Sequence, residues 1–309
     1  MRRAFVAFVI LCVTALPAAS GQTWKSANLR DHPLVGKIYD TAKQEFISRD
    51  TLIDRLARVP YVLLGEIHDN ADHHELQAAV ILELVKRGRK PSVVMEMIKA
   101  SQAKALSQLT TESRQEATPL PTDLARRTLK WDESGWPPFA IYEPVFAAAL
   151  GEKLHMSAGE PYPETPEAVA DILAKAPLGE AAGEALIAEL KTSHCGVMPD
   201  AVLPKVAVAQ RKRDIRLAVA MQAASKVDGE GAVLIAGNGH ARRDRGVPHY
   251  LRHLAEKSVT VSFVEVTAGE ASPAAGYEPA TADFVWFTPQ HEREDPCIEL
   301  LKKFGKKKE

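Results

Sequence analysis

The sequence predicts an α/β protein: a mainly parallel sheet flanked by helices, with a helical insertion at about 160–200. Three observations carry this prediction. Short apolar runs recur and stop at turn chemistry, as strands buried on both faces do: "YVLLGE" at 61–66, "PSVVMEM" at 91–97 and "GAVLIAGNGH" at 231–240. Between the first two lies a stretch with apolar residues at helical intervals, so strand, helix and strand follow one another as in a parallel βαβ unit. Finally, Glu66, His68, Glu96, Asn238 and His240 all fall at or just beyond the ends of these runs. In a parallel sheet those positions meet at the carboxyl edge, where open α/β sheets bind their ligands.

Taken in order, the chain opens with "MRR" and the apolar "AFVAFVILCVTALPA", with small residues at Ala18 and Ser20. That is the pattern of a signal peptide over 1–20, cleaved before Gly21, and it predicts a periplasmic or cell-envelope protein. Cys12 follows Leu11 in mid-run and does not fit a lipid-attachment site, so no stable membrane anchor is expected. Residues 21–57 read as an N-terminal segment, 58–290 as the α/β domain and 291–309 as a basic C-terminal tail, whose "KKFGKKKE" reads as a solvated end. After the strand at 61–66, Asp72 and Glu75 have capping-box spacing, and Leu76, Ala79, Val80 and Leu84 continue a helix that Gly88 stops. His73 and His74 open that helix and are expected to be largely solvated, with at most one facing the crevice, because neighbouring helical residues point about 100° apart.

From 98 to about 230 the composition is helical. "WPPFAIYEPVFAAALGEKL" forms a helix with Pro137 and Pro138 at its start and Pro144 inside it, and "LHMSA" at 154–158 is a short strand. "PETPEAVADILAKA" and "GEALIAELKT" form a helical pair, followed by the long amphipathic "LPKVAVAQRKRDIRLAVAMQAA". "SVTVSFVEVT" at 258–267 and "DFVWFT" at 283–288 finish as strands, with the loop "PAAGYEPATA" between them.

A chain of 309 residues, 46% hydrophobic and 26% charged, can bury a full core as one large α/β domain or two smaller ones. Its net charge of −1 gives no global electrostatic case for nucleic acid or an anionic membrane, and no nucleic-acid partner is expected. Beyond the leader, only Cys195 and Cys297 remain. An exported compartment permits a bridge between them, but sequence leaves their pairing open.

Each motif has a sharp and a plain reading. Glu66 beside His68 can hold a metal, orient a base or form an ion pair. Glu96 sits inside the apolar "VVMEMI" and needs a partner, for which His68 and His240 are the candidates. "GNGH" is not a dinucleotide fingerprint, because the next glycine is Gly246. His194 and Cys195 could be a nucleophile pair or an ordinary loop. "WDESGWPP" supplies either packing anchors or the wall of an apolar pocket.

With these residues assembled, the chain resembles the ChaN-like haem-binding uptake family of the Tiki superfamily. The matching pieces are "LLGEIHDNADHHELQ", "VVMEM", "WDESGWPPFAIYEPVF", "AQRKRDIRLA" and "GNGHARRDRGVPHYL", in family order over most of 60–255. The resemblance implies an α/β fold with helical insertions, a cell-envelope location, and haem binding by a homodimer in bacterial iron or haem uptake. It implies haem contacts drawn from His68, His74, Tyr142, Asn238, His240 and Tyr250. An apolar slot would come from Trp131, Trp136 and Phe139, with Arg242, Arg243 and Arg245 for the propionates. The superfamily also holds metal-dependent peptidases and erythromycin-esterase-like hydrolases that use Glu and His at strand ends. The alternative is therefore a hydrolase in which Glu66, His68, Glu96 and His240 surround one divalent metal. Two departures stand out. The chain lacks a lipid-attachment site, and it has "ARRDRG" after "GNGH" where part of the family carries a tyrosine-bearing stretch.

Overall fold

The computed structural model describes residues 22–159, 166–272 and 281–304. The signal peptide expected at 1–20, most of the loop "PAAGYEPATA" and the last five residues lie outside the described residues. In chain order the elements are β1 (Ile38–Asp40), β2 (Glu45–Ile47), α1 (Arg49–Leu56), β3 (Tyr61–Glu66), α2 (Ala71–Lys86), β4 (Ser92–Met95), α3 (Ala103–Gln115) and α4 (Thr122–Thr128). Then come α5 (Phe139–Gly151), β5 (Met156–Ala158), α6 (Pro166–Lys175), α7 (Glu180–Ser193), α8 (Leu203–Asp228), β6 (Ala232–Gly237) and α9 (Asn238–Ala241). The chain finishes with α10 (Val247–His253), β7 (Ser258–Glu265), β8 (Phe284–Thr288) and α11 (Pro296–Phe304).

The eight strands form one sheet in the order β2-β1-β8-β7-β3-β6-β4-β5. Every pairing from β8 to β5 is parallel, and β1 runs antiparallel to both of its neighbours. The central strands are apolar without alternation because both faces are covered. Val62 and Leu64 of β3 face the core shared with α1, α2 and α5, whereas Tyr61 and Leu63 face α8 and α10. The chain leaves β3 for β4 on one side and leaves β6 for β7 on the other. The two connections diverge at the β3–β6 pair, which creates a crevice at the carboxyl ends of these strands.

Residues 21–57 carry elements that the sequence pattern did not reveal. β1 and β2 are three residues each, too short for a periodic signal, and they extend the sheet beyond β8. Leu52, Ile53 and Leu56 of α1 are fully buried in the core. The start of α2 also differs from expectation. Asn70, not Asp72, is the cap: its side chain accepts from the Asp72 N–H at 2.9 Å. The Asp72 carboxylate instead accepts from the backbone N–H groups of Lys25 and Ser26, at 2.7 and 2.9 Å. Gly88, at φ +81°, follows the helix as its expected stop.

In the insertion, Leu186 and Leu190 of α7 pack against Leu203 and Ala207 of α8. The loop after α7 is tied to α11 by a disulfide between Cys195 and Cys297, with Cα atoms 5.5 Å apart. That bridge excludes the Cys–His nucleophile reading. No helix among the described residues is long and apolar enough to cross a membrane.

Candidate functional site

Glu66 ends β3, and its backbone is in register with Gly237 at the end of β6. Its carboxylate is fully buried, and four donors reach it. On Oε1 these are His68 Nδ1 at 2.8 Å and the Tyr142 hydroxyl at 3.0 Å. On Oε2 they are Gln77 Nε2 at 2.7 Å and His74 Nδ1 at 3.1 Å. A carboxylate has about four acceptor sites, so Glu66 is saturated. Burial alone would raise its pKa, but the charges and hydrogen bonds of His74 and His68 hold it well below the ordinary carboxylate range.

His74 owes its state to its partners. Nε2 faces the His68 carbonyl oxygen at 3.1 Å, while Nδ1 faces Gln77 Oε1 at 2.9 Å and Glu66. Both nitrogens meet acceptors, so both carry protons and the ring is an imidazolium. Burial disfavours that charge, but Glu66 overrides it and raises the pKa. His73 is the opposite case. Its Nδ1 accepts from the Ile67 N–H at 2.9 Å, which leaves Nε2 to donate to Thr288 Oγ1 at 2.9 Å. Burial, reinforced by the charge on His74, pushes its pKa down to about 3. The expectation that these two imidazoles are largely solvated is thus corrected: both are completely buried. Their partners lie on β8 and on the backbone after β3, which helical spacing does not show.

The second half of the site gathers around Glu96, just beyond β4. Its Oε2 accepts from the Gly237 N–H at 2.8 Å. Its Oε1 faces Arg213 Nη2 at 3.1 Å and His240 Nε2 at 3.4 Å. His240 Nδ1 donates to Asp214 Oδ1 at 2.6 Å. Burial pushes the Asp214 carboxyl up to about 6, against the pull of His240. Burial would depress His240, but the flanking Glu96 and Asp214 raise it. Glu66, Glu96 and Asp214 are therefore matched by His74, His240 and Arg213.

Gly237 joins the two halves. A Cβ at that position would lie 2.8 Å from His68 Nε2 and 3.7 Å from Glu96 Oε2. Glu66, His68, Glu96 and His240 thus converge at one strand edge. His68 differs from the other three. Its side chain is 34% exposed, and Nε2 makes no hydrogen bond to the described residues. Burial lowers its pKa, but the hydrogen bond and charge of Glu66 raise it above the ordinary value. The Trp136 ring lies 4.9 Å from the His68 ring, and the Arg213 guanidinium lies 5.9 Å from the Trp136 centroid.

Of the other expected contacts, Tyr142 belongs to the same network: its hydroxyl lies on Glu66 and 3.2 Å from His68 Nδ1, and burial, reinforced by Glu66, raises its pKa far above the ordinary value. Tyr250 is buried on the opposite face of the sheet, and its hydroxyl accepts from Arg211 Nε at 2.9 Å. Asn238 donates to the Phe263 carbonyl oxygen at 2.9 Å, which ties the end of β6 to β7, and its Oδ1 packs so close to Gly65 of β3 that a Cβ there would collide with it. Trp131 and Phe139 belong to the core around Tyr142 and Phe146, and Trp136 packs against the edge of that core, partly buried. Arg242 and Arg245 are engaged by Asp244 and Glu189, and Arg243 by Asp283, so these arginines are committed to carboxylates of the chain itself.

Sequence reasoning missed Gln77, Gln210, Arg213 and Asp214. Gln210 and Asp214 are four apart on α8, and Gln210 Nε2 lies 3.3 Å from the His240 ring. A charged extension of the apolar stripe Leu217, Ala218 and Met221 on that helix was the available signal. For the alternative reading of a shared metal, among the described residues no group of three His, Cys, Asp or Glu is arranged to hold one, and the Glu66 and Glu96 carboxylates bind N–H and O–H donors.

A crevice at the switch point of an open α/β sheet, with one partly exposed imidazole held by a buried carboxylate network, defines a ligand-binding protein. The chain belongs to the haem-binding uptake family of the Tiki superfamily, ChaN, whose model matches residues 52–251. Among solved structures, it is similar to ChaN of Campylobacter jejuni, described as binding haem cofacially. That match has 21% identity over 81% of this chain and 95% of that one, with a TM-score of 0.60, and it supports the fold. Two weaker likenesses carry no argument. One is the type III effector HopBA1, with 14% identity over 78% of this chain and 93% of that one and a TM-score of 0.45. The other is a mutant of the erythromycin esterase EreC, with 16% identity over 92% and 88% and a TM-score of 0.38. Comparison with curated proteins gives no match.

Proposed function

We propose that this chain is an exported haem-binding protein of iron or haem uptake, in which His68 Nε2 would hold the haem iron. One observation carries the assignment. Of the candidate donors, His68 alone combines a nitrogen without a hydrogen bond to the described residues, partial exposure and a carboxylate fixing its other nitrogen. Ligating histidines characteristically donate their second N–H to such an acceptor, which sets the ring and strengthens the donor. The residues fit haem in donor chemistry: beside the ligand nitrogen, Trp136 offers an aromatic wall. When bound, haem supplies the iron and its redox chemistry. The chain supplies the ligand nitrogen, through a network in which Gln77, His74 and Tyr142 hold Glu66 and Glu66 holds His68.

The apolar leader and the Cys195–Cys297 bridge support export, because disulfides persist in oxidising compartments. The cofacial binding described for the Campylobacter jejuni protein supports a homodimer that brings two haems together. Sedimentation with and without haem tests that assembly. The hydrolase alternative is not favoured, since the saturated Glu66 has no acceptor position left for a metal or a substrate.

The test of ligation is an absorption titration with haem. The wild-type chain should give a saturable Soret shift, and His68→Ala should lose it while Tyr250→Phe keeps it. A full shift in His68→Ala would remove His68 as the ligand.

A further inference from the structure

Two donors converge on one oxygen of Glu66. Oε1 accepts from His68 Nδ1 at 2.8 Å and from the Tyr142 hydroxyl at 3.0 Å, and the two donors lie 3.2 Å from each other. Oε2 is taken by Gln77 Nε2 at 2.7 Å and His74 Nδ1 at 3.1 Å. The carboxylate therefore cannot turn to give His68 an oxygen of its own. The phenol is also held in place. Tyr142 is fully buried on α5, with its ring centroid 4.0 Å from that of His74 and 4.9 Å from that of Trp131. A phenylalanine ring would pack in the same way, so the hydroxyl is the part of this side chain that answers to Glu66.

The sharing has a direction. A hydrogen bond withdraws electron density from the oxygen that accepts it, so an oxygen already holding a phenol proton is a weaker acceptor for an imidazole proton. The Tyr142 oxygen also faces His68 Nδ1 and draws that proton away from the carboxylate. The carboxylate partner of a ligating histidine is what raises its basicity, so a weaker pull at Nδ1 leaves less electron density on Nε2. Ferric iron carries one more positive charge than ferrous iron and gains more from a basic nitrogen. Weakening the donor therefore raises the reduction potential.

We propose that Tyr142 is a positioning residue that sets the reduction potential of haem held at His68: by taking a share of Glu66 Oε1, it biases the bound iron towards the ferrous state. This rests on the reading that His68 Nε2 holds the iron, and it gives Tyr142 a role through Glu66 and His68 instead of a contact with the ligand. A site that moderates its own axial donor also withholds the electron push that favours O–O cleavage, which suits the handling of haem more than oxidation chemistry upon it.

The test compares the wild type with Tyr142→Phe and with the chain carrying 3-fluorotyrosine at position 142. Phenylalanine removes the donor and keeps the ring, whereas fluorine beside the hydroxyl makes it a stronger donor. In the haem-free protein, the His68 Nδ1–H proton resonance should move downfield in Tyr142→Phe and upfield with fluorotyrosine. In the haem complex, spectroelectrochemistry should find the ferric form favoured about tenfold more in Tyr142→Phe, a fall of about 59 mV for a one-electron couple, and a potential above wild type with fluorotyrosine. A tyrosine that served packing alone would not move either quantity in opposite directions. The fluorinated protein keeps its hydroxyl on Glu66, so the test stands if Tyr142→Phe disturbs the fold. Equal potentials, shifts of one sign in both variants, or an unchanged Nδ1–H resonance overturns the proposal. So does a tyrosinate-to-iron charge-transfer band that Tyr142→Phe abolishes, because the hydroxyl then touches the iron. Haem titration of His68→Ala separates the two readings. A retained Soret shift removes His68 as the ligand, whereas a lost shift with equal potentials removes only the role of Tyr142.

Discussion

His73 accepts the Ile67 N–H at one nitrogen and donates to Thr288 from the other, and this fixes both its tautomer and its neutrality. His73→Ala strands both partners in a buried site and opens a cavity. We expect a loss of about 3 kcal/mol in urea denaturation at neutral pH. The pH dependence has a definite sign. Below pH 6.5 the unfolded chain takes up a proton that the folded ring refuses until about pH 3. The stability this ring contributes is therefore full above 6.5 and declines as pH falls, by at most about 1.4 kcal/mol per unit. The advantage of wild type over a non-titrating His73→Gln should shrink across that window. At this scale the sequence revealed positions better than states. Strand ends located Glu66, His68, Glu96 and His240, but of the neighbouring His73 and His74 one is neutral and the other a cation. Their partners come from β8, from Gln77 and from the backbone after β3.

The central elements were legible because double burial leaves β3, β4 and β6 as uninterrupted apolar runs. β1 and β2 were not, since "IYD" and "EFI" carry too few residues to show a period. The end of β6 offers a test of how closely elements approach at the site. A methyl at Gly237 would meet His68 Nε2 at 2.8 Å, under the contact limit. Gly237→Ala should therefore displace the imidazole and lower haem affinity at least about tenfold, while circular dichroism and thermal unfolding change little. Unchanged affinity in a folded variant would mean that the ring does not need the space this glycine leaves.

Across the whole molecule, the Cys195–Cys297 bridge closes a loop with a sequence separation of 102 and links the insertion to the last helix. Chain-entropy reasoning gives about 4–5 kcal/mol for a loop of that size. Replacing both cysteines by serine should lower the denaturation free energy towards that amount and leave the haem spectrum intact, because the bridge lies outside the Glu66–His68 network. Sequence could place neither thiol near the other, since their approach depends on how the insertion and the C-terminal helix pack.

The position of β3 bears on how the protein is made. Its sheet neighbours are β6, beginning at Ala232, and β7, beginning at Ser258. A nascent chain therefore carries "YVLLGE" with both edges unpaired through most of its synthesis. Such a segment invites pairing between molecules, and contacts this distant in sequence slow the search for the native sheet. We expect refolding to be slow, with a yield that falls as protein concentration rises. A holding chaperone added during dilution from denaturant should restore the yield. The strand that anchors the ligand crevice is thus the one most dependent on quality control before it is finished.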